Sequence, residues 1–478
     1  MEAGAVHSLP GRERPFPVSA GLARLVAELA GVGGRPVAVG GAVRDHLLGS
    51  VAKDIDVEVF GLALEVLEQA LARVGSVHAV GRSFGVLKVD VGAGDARETF
   101  DVAVPRTENK SGRGHRGFVV ESDPSMSFED AAQRRDFTCN AIGVDLVSGA
   151  LLDPTGGAKD LARGVLRHVS PAFDEDPLRV LRASQFAARF ALSIDQGTLA
   201  RCRALTDELS TLPKERVYEE LKKLLVRARH PSVGLAALVD TGALVLFPEL
   251  QAMRGVPQEP EWHPEGDVWV HTLMVVDEAA AIARSESLDD DETLVLVMAA
   301  LCHDLGKPLT TVRADGRIKS PAHETEGEAP TRSFLARIGA PNQLVDDVVP
   351  LVREHLKPYQ LFARKEEVSD GALRRLALRV DVRRLLRVAR ADHFGRITED
   401  ALARDDEAGR WLSREAARLD VEAARPEPVL LGRHLLARGH APGVALGAIL
   451  KRAFEAQLDG AFSDLEGALA WLDDEERA

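Results

Sequence analysis

Two aspartates one residue apart, Asp54 and Asp56, have the clearest potential for chemistry in the N-terminal half. They lie at the start of an apolar run, residues 55–60, whose alternation predicts a β-strand. Side chains on one face of a strand recur at every second residue, so the Cα atoms should be about 6.5 to 7 Å apart, with both carboxylates facing one space. Such carboxylates suit divalent cations that lie about 3.5 to 4 Å apart in phosphoryl-transfer sites. The spacing predicts metal-dependent chemistry on a phosphate, with Asp54 and Asp56 as catalytic residues and Mg²⁺ ligands.

A glycine pair, Gly40 and Gly41, follows a predicted strand at residues 36–39. Without Cβ atoms, these residues allow a phosphate to approach the backbone. A helix is predicted to begin here, and its unpaired N-terminal N–H groups suit an anionic triphosphate, with Arg44 one turn inside. Taken alone, a glycine pair is usually a turn and Asp-x-Asp is usually a solvated face. Their combination is what carries the prediction.

The order of these elements resembles the head motif of class II tRNA nucleotidyltransferases and bacterial poly(A) polymerases. Residues 134–141, RRDFTCNA, and residues 175–182, EDPLRVLR, continue the resemblance in order. It implies an α+β fold, in which a polymerase-β-like nucleotidyltransferase head with a mixed sheet precedes an all-α neck and body. The nucleotide-binding residues that the resemblance implies are Gly40, Gly41, Arg44, Arg135, Asp176, Arg179 and Arg182.

The resemblance assigns base selection to Asp176 and Arg179. Cytosine and adenine both present an amino donor beside an unprotonated ring nitrogen, which a carboxylate and a guanidinium can recognise together. The purely structural alternative is that Asp176 caps a helix before Pro177 and forms a surface ion pair with Arg179 worth under about 1 kcal/mol. The chain departs from the CCA-adding pattern at Gln185, where that pattern has a further arginine.

The implied activity is template-independent addition of C and A to the 3′ end of tRNA, with CTP, ATP and Mg²⁺. A poly(A) polymerase and an enzyme that adds only CC or only A remain alternatives within this chemistry. A non-catalytic RNA-binding or nucleotide-sensing protein is the alternative from another class, and the intact Asp54, Asp56 and Arg44 argue against it. Asp101 is either a third carboxylate near the metals or a solvated residue on an edge strand.

A series of histidines and aspartates marks the C-terminal half. A lone histidine on an apolar helix is more often a core residue than a ligand, but this series follows the order of HD-type phosphohydrolases. Imidazole and carboxylate suit ions such as Ni²⁺, Mn²⁺ or Zn²⁺, which activate water for phosphoester hydrolysis. The resemblance implies an all-α HD domain acting on phosphomonoesters or 2′,3′-cyclic phosphates. Its predicted metal ligands are His271, His303, Asp304 and Asp392, with His323 and His355 as candidates for a second metal.

Two features leave the function of the C-terminal half open. The region resembles the HD domain that is fused to some CCA-adding enzymes, but Leu356 follows His355 where those enzymes carry aspartate. Residues 374–390 are rich in arginine, which indicates either a solvated face paired with acids or a contact with the tRNA backbone. The arginines are Arg374, Arg375, Arg379, Arg383, Arg384, Arg387 and Arg390.

Length and composition limit the remaining possibilities. A chain of 478 residues with 45% hydrophobic residues supports two to four domains. The three cysteines are far apart and odd in number, which argues against a disulfide framework or a cysteine-based zinc site. A net charge of −14 requires any RNA contact to be a local basic patch. Apolar runs of membrane-spanning length and a signal-peptide core are lacking, so we predict a cytoplasmic protein without a membrane partner; the oligomeric state is not indicated.

The predicted domain boundaries follow the motifs. A Gly-rich basic segment, RTENKSGRGHRG at residues 106–117, resembles the family's flexible loop. The predicted parts are a flexible leader (1–17), the head (18–160), the neck and RNA-binding body (161–260), the HD domain (261–396) and a C-terminal helical region (397–478).

Overall fold

The described part of the chain forms two compact units. The first unit runs to Leu224 and includes Val233–Leu246, whereas the second contains Leu225–Ser232 and continues from Phe247. The computed structural model describes residues 9, 11–50, 54–78, 86–110, 118–422 and 424–477. Most of the predicted leader and residues 111–117 of the predicted flexible loop lie outside these residues.

The first unit is built around a mixed β-sheet. The strands of the first unit are β1 (Arg35–Val39), β2 (Asp56–Phe60), β3 (Gly75–His78), β4 (Val86–Val91), β5 (Glu98–Ala103), β6 (Arg106–Lys110), β7 (Phe118–Ser122), β8 (Gly143–Asp145), β9 (Leu151–Leu152), β10 (Val165–Leu166) and β11 (Ser193–Ile194). Seven of them form one sheet in the order β3-β4-β5-β2-β1-β8-β9, in which β2 pairs in parallel with β5 and antiparallel with β1. The mixed sheet predicted for the head is confirmed.

Strand β1 lies in the interior of this sheet because its apolar residues are buried on both faces. Val37 and Val39 pack with Phe60 and Phe128 in one cluster. An uninterrupted apolar run is typical of a strand covered on both sides. This core fixes the place where β1 ends and the glycine pair begins.

Helices cover the sheet and then form the rest of the first unit, except that the end of α8 and the start of α9 belong to the second unit. They are α1 (Ala20–Gly31), α2 (Gly41–Leu47), α3 (Leu64–Val74), α4 (Phe128–Gln133), α5 (Gly157–Ala162), α6 (Leu178–Phe190), α7 (Gln196–Ala204), α8 (Lys214–Arg227) and α9 (Pro231–Asp240).

The second unit is helical apart from one hairpin, β12 (Val312–Ala314) and β13 (Arg317–Lys319). Its centre is α12, buried throughout from Thr293 to Cys302 and packed on α11, α16 and α19. The helices are α10 (Pro248–Ala252), α11 (Val268–Ser285), α12 (Asp290–Cys302), α13 (Lys307–Thr310), α14 (His323–Glu326), α15 (Glu328–Arg337), α16 (Asn342–Glu354), α17 (Lys357–Phe362), α18 (Asp370–Arg379), α19 (Val382–Phe394), α20 (Glu399–Leu402), α21 (Glu407–Arg418), α22 (Gly432–Ala437), α23 (Val444–Leu458) and α24 (Leu465–Arg477).

The last three helices have a small core of their own. Leu435 of α22, Ala453 of α23 and Leu472 of α24 are buried against one another, together with Phe462. Among the helices of the described residues, none combines the length and the apolar character that crossing a membrane requires.

Candidate active sites

A group of carboxylates lies at the start of β2. Asp56 opens the strand and Asp54 lies two residues before it, so the strand begins one residue later than predicted. On the next strand, Asp101 is the register partner of Asp56. Partial burial, followed by the charge of Asp101, raises the pKa of Asp56. The structure therefore brings a third carboxylate to the predicted pair, because β2 and β5 run in parallel and in register.

Gly40 turns the chain from β1 into α2 in a left-handed conformation, with φ at 69°. A Cβ atom here would lie 3.3 Å from Nη1 of Arg135 and 3.9 Å from Oδ2 of Asp56. Only glycine accepts this backbone conformation without strain. The turn thus places the backbone beside Asp56, the predicted catalytic carboxylate, and Arg135, a predicted phosphate ligand.

The predicted phosphate ligands Arg44 and Arg135 have different surroundings. Arg44 is buried, donates to Oδ1 of Asn140 at 2.6 Å and lies 4.1 Å above the ring of Phe190. Arg135 donates to Oε2 of Glu58 at 3.1 Å, on the side of β2 that carries Asp56. Arg44 thus packs against neighbouring side chains in the interior, whereas Arg135 lies beside the carboxylates. Nucleotide binding by either residue stays a prediction.

Asp176 and Arg179 are held by separate partners at the start of α6. One Asp176 oxygen accepts from the Leu178 N–H at 3.1 Å and the other pairs with Nη2 of Arg216 at 2.8 Å. Arg179 donates to the carbonyls of Ala172 and Arg134, at 2.6 and 2.8 Å. Asp176 thus accepts from the first N–H of α6, although Pro177 occupies the N-cap position, and its ion pair is with Arg216 rather than Arg179.

Arg182 faces inward from the same helix and makes two hydrogen bonds to Oδ2 of Asp136, at 2.8 and 2.6 Å. Burial alone would raise the pKa of Asp136, but Arg182 and the Asn140 amide hold it below its usual value. Gln185, which stands where the CCA-adding pattern has an arginine, is buried, and its Nε2 has no hydrogen-bond partner. The Arg182–Asp136 pair therefore joins the RRDFT segment to α6.

The second unit gathers six buried side chains from five helical segments. The possible ligand atoms of His271, His303 and Asp392 lie within 4.8 Å of one another, and so do those of Asp304, His323 and His355. Nε2 of His303 lies 3.2 Å from Oδ2 of Asp304, which connects the two groups. The four predicted ligands and the two candidates for a second metal thus form one centre.

Three of these histidines are held in the same way. Nδ1 of His303, His323 and His355 lies 2.7, 2.8 and 2.6 Å from the carbonyls of Ala300, Ser320 and Val352. A carbonyl only accepts, so Nδ1 carries the hydrogen and the neutral ring keeps its lone pair on Nε2. These rings therefore have the tautomer that metal coordination through Nε2 requires.

Glu265 is a site residue that the sequence did not reveal. Its buried carboxylate lies 2.8 Å from Nδ1 of His271 and 2.9 Å from Nδ1 of His263. A carboxylate behind a metal-binding imidazole orients the ring and increases its basicity. Nothing in the sequence pattern around His271 singles out Glu265.

Lys307 was also missed, although it lies close to the His-Asp pair. Its Nζ is 2.7 Å from Oδ2 of Asp304 and donates to Oε1 of Gln258 at 2.7 Å. Burial would raise the pKa of Asp304, but His303 and Lys307 hold it well below its usual value. Gly306 permits this packing, because a Cβ there would clash with the carbonyl of His323.

The donor set fits a metal ion. Nε2 of His303 and Oδ1 of Asp304 are buried without hydrogen-bond partners, while Oδ2 of Asp304 has the Lys307 ammonium 2.7 Å away. Burial, and then His323 and His303, lower the pKa of His355 to about 3, so its ring is neutral at physiological pH. Buried polar atoms without partners are costly, and coordination would satisfy them.

Comparison with known families matches three parts of the chain. Residues 37–167 match the Poly A polymerase head domain, residues 191–253 match the probable RNA and SrmB-binding site of polymerase A, and residues 268–397 match the HD domain. These matches follow the predicted order of head, body and HD domain. The domain boundaries themselves stay predictions.

Curated relatives span most of the chain. The Multifunctional CCA protein of Xanthomonas campestris pv. campestris (strain B100) is 42% identical over 378 residues, which cover 76% of this chain and 86% of the relative. The Multifunctional CCA protein of Stenotrophomonas maltophilia (strain K279a) is 41% identical over 430 residues, covering 87% and 97%.

Solved structures share the fold. The Bacillus stearothermophilus CCA-adding enzyme in complex with CTP has a TM-score of 0.63 at 22% identity, covering 95% of this chain and 96% of that one. The Thermotoga maritima CCA-adding enzyme complexed with tRNA has a TM-score of 0.56 at 20% identity, with 94% of each chain covered.

Proposed function

The chain belongs to the family of the multifunctional CCA proteins, and we propose that it adds C and A nucleotides to the 3′ end of tRNA without a nucleic-acid template. CTP and ATP are the nucleotide substrates. The observation that carries this function is the grouping of Asp54, Asp56 and Asp101 beside the Gly40 turn, in a chain 41% to 42% identical to such proteins. The protein is a tRNA nucleotidyltransferase, and its cytoplasmic location remains a prediction.

In the first unit, Asp54 and Asp56 would hold Mg²⁺, with Asp101 as a further ligand. Burial is the main cause of the raised pKa of Asp56, and repulsion by Asp101 and Asp54 adds to it, which favours a cation there. When bound, the metal neutralises the triphosphate and promotes attack by the 3′ hydroxyl group of tRNA. Gly40 lets the phosphates approach the backbone, and Arg135 offers a fixed guanidinium fork for their oxygens.

Base selection would belong to Asp176 and Arg179. Arg216 and the Leu178 N–H orient the carboxylate of Asp176, and two carbonyls orient the guanidinium of Arg179. Groups held in this way can pair with the edge of cytosine or adenine, while uracil and guanine would leave them unpaired.

The second unit would act as a metal-dependent phosphohydrolase on 2′,3′-cyclic phosphates or phosphomonoesters. His271, His303, Asp304 and Asp392 would hold one metal ion. A second ion would use His323 and His355, with Asp304 shared between the two. The ion, of a type such as Ni²⁺, Mn²⁺ or Zn²⁺, supplies an activated water for hydrolysis.

Extension of three tRNAs, ending before CCA, after C and after CC, tests the first activity. Each labelled nucleotide is supplied alone and then together with the other. Full CCA on the shortest tRNA is the expected product. Long A tails, or incorporation limited to C or to A, would replace the proposal with one of its alternatives, and binding without incorporation would indicate a non-catalytic protein.

A further inference from the structure

A groove of about 780 Å³ lies between α19 and α21 in the second unit. Arginines from both helices and the segment that joins them dominate its wall. The acids that line it are Glu286, Asp406 and Glu422. The arginines of this groove, called the arginine groove below, are Arg383, Arg387, Arg390, Arg404, Arg410 and Arg414.

Helix α19 presents two faces with different roles. Arg383, Arg387 and Arg390 recur at intervals of four and three residues, which places them on one side of a helix. Asp392, two residues beyond Arg390, is buried with the candidate metal ligands. The arginine groove therefore lies on a different face of α19 from its metal-binding carboxylate.

The acids of the groove leave part of its positive charge unpaired. Glu286 is shared by Arg387 and Arg390, Arg404 pairs with Glu278, and Arg410 pairs with Asp405, so four of the six arginines have an acidic partner. Asp406 accepts from the Gly409 N–H at the start of α21. Within the described part of the chain, the exposed side chains of Arg383 and Arg414 have no hydrogen bond or ion pair. Nε of Arg390 is likewise buried without a partner.

The arginines of residues 374–390 outside the groove are also paired with acids. Arg375 pairs with Glu455 and Asp459, Arg379 pairs with Glu354, and Arg384 pairs with Glu292. Ion pairs with acids therefore account for these arginines and for four of the groove. Arg383 and Arg414 differ, because they are exposed and, among the described residues, unpaired in a groove whose lining holds more arginines than acids.

We propose that the arginine groove binds the phosphodiester backbone of RNA, which, on the proposed function, is the body of the tRNA substrate. Guanidinium groups match phosphate oxygens in geometry and keep their charge at all physiological pH values. A protein with a net charge of −14 can bind a polyanion only where its positive charge is concentrated. The cations line two helices of an open groove, an arrangement that fits successive phosphates of a strand.

The test compares tRNA binding by the full chain and by the double variant Arg383→Ala/Arg414→Ala over a series of salt concentrations. Both side chains are exposed and unpaired, so the fold should persist, which the thermal midpoint checks. The Kd of the variant for tRNA should rise about tenfold at low salt, and the slope of log Kd against log salt should fall by about one to two. The matched control is Arg254→Ala/Arg332→Ala, which removes two exposed arginines of the same unit outside the groove.

An unchanged Kd and salt slope in the groove variant, or an equal loss in the control, would overturn the proposal. A separate arm titrates ATP and inorganic phosphate. If the groove variant loses binding of these small anions and keeps wild-type tRNA binding, the groove is a small-anion site and the RNA proposal is wrong. Wild-type protein that binds tRNA but adds no nucleotide would contradict the proposed function alone, because the salt slope is measured without catalysis.

Discussion

The two candidate centres of this chain use opposite constructions. In the first unit, Asp54 and the partly buried Asp56 are solvent-accessible carboxylates at the start of a strand, next to the Gly40 turn. In the second unit, buried imidazoles are held by carbonyls and by Glu265 before any ion binds. An open carboxylate site suits Mg²⁺, which keeps waters and substrate oxygens as ligands. An enclosed nitrogen-rich centre suits a transition metal. On the proposed function, the substrate would complete the first centre, whereas the protein alone would complete the second.

The largest effect is expected at the open centre. Asp56→Asn keeps the shape of the side chain but removes the charge that holds the cation, so nucleotide addition should fall at least about a hundredfold. Labelled CTP incorporation into tRNA measures it. Glu65→Gln, which removes an exposed carboxylate from the same unit, is the control. Residual activity above about a tenth of wild type would remove Asp56 from the catalytic site.

Base selection should change when the recognition edge of Asp176 changes. Asp176→Asn still offers an acceptor to the Leu178 N–H, but it replaces an oxygen that could face the base with a donor. Incorporation of U and G relative to C and A should rise by up to about a hundredfold, since discrimination depends on unpaired polar groups. Competition among the four nucleotides measures it. Wild-type preference in this variant would leave Asp176 as a cap and ion-pair residue only.

At the enclosed centre, Glu265→Gln tests whether the carboxylate behind His271 contributes to metal binding. The affinity for Ni²⁺ or Mn²⁺ should fall about 10- to 100-fold, because the ring loses the partner that orients it and increases its basicity. Calorimetric titration of the chelator-treated protein gives the affinity. Glu261→Gln, an exposed carboxylate paired with Arg317, is the matched control. Equal affinities in both variants would show that Glu265 is not needed.

Acidification should destabilise the metal-depleted enclosed centre. Burial lowers the pKa of His355 to about 3 and that of His263 to about 4, compared with about 6.5 in an unfolded chain. These rings stay neutral when folded and take up protons on unfolding. Stability therefore falls as the pH drops below about 6.5, by up to about 1.4 kcal/mol per pH unit for each ring. Asp56 acts in the opposite sense, because its raised pKa means that its contribution is lost as the pH rises.

Urea unfolding of the chelator-treated protein, near neutral pH and near pH 5, measures this dependence. His355→Gln should flatten it, since glutamine has no proton to gain. A pH dependence as steep as that of the wild type in this variant would rule out His355 as a source of the acid sensitivity.

The sequence predicted what local patterns encode. Alternation and glycine placement predicted β1, β2 and the turn between them, and the confirmed fold class followed from the order of the motifs. The sequence could not settle the role of Asp101, because the parallel pairing of β5 with β2 joins residues 45 positions apart. Only strand register shows that this aspartate lies next to Asp56.

Side-chain partners in three dimensions were also beyond the sequence. Asp176 pairs with Arg216, which belongs to a different helix, and Glu265 is identified only by its distance to His271. The arginines of residues 374–390 look alike in sequence, yet the acids around them come from distant segments. Helical periodicity gives the face on which a residue lies but not what packs against that face.

Measuring nucleotide addition and phosphohydrolysis in a variant of each centre tests most directly whether the two units are separate catalysts. His303→Ala should lose hydrolysis of 2′,3′-cyclic and monoester phosphates with Ni²⁺, Mn²⁺ or Mg²⁺ and keep nucleotide addition to tRNA. Asp54→Ala should lose addition and keep hydrolysis, because its carboxylate serves only the open centre. Loss of both activities in either variant would contradict this separation. If the wild-type protein shows no phosphohydrolysis with any of these metals added, the histidine centre is structural.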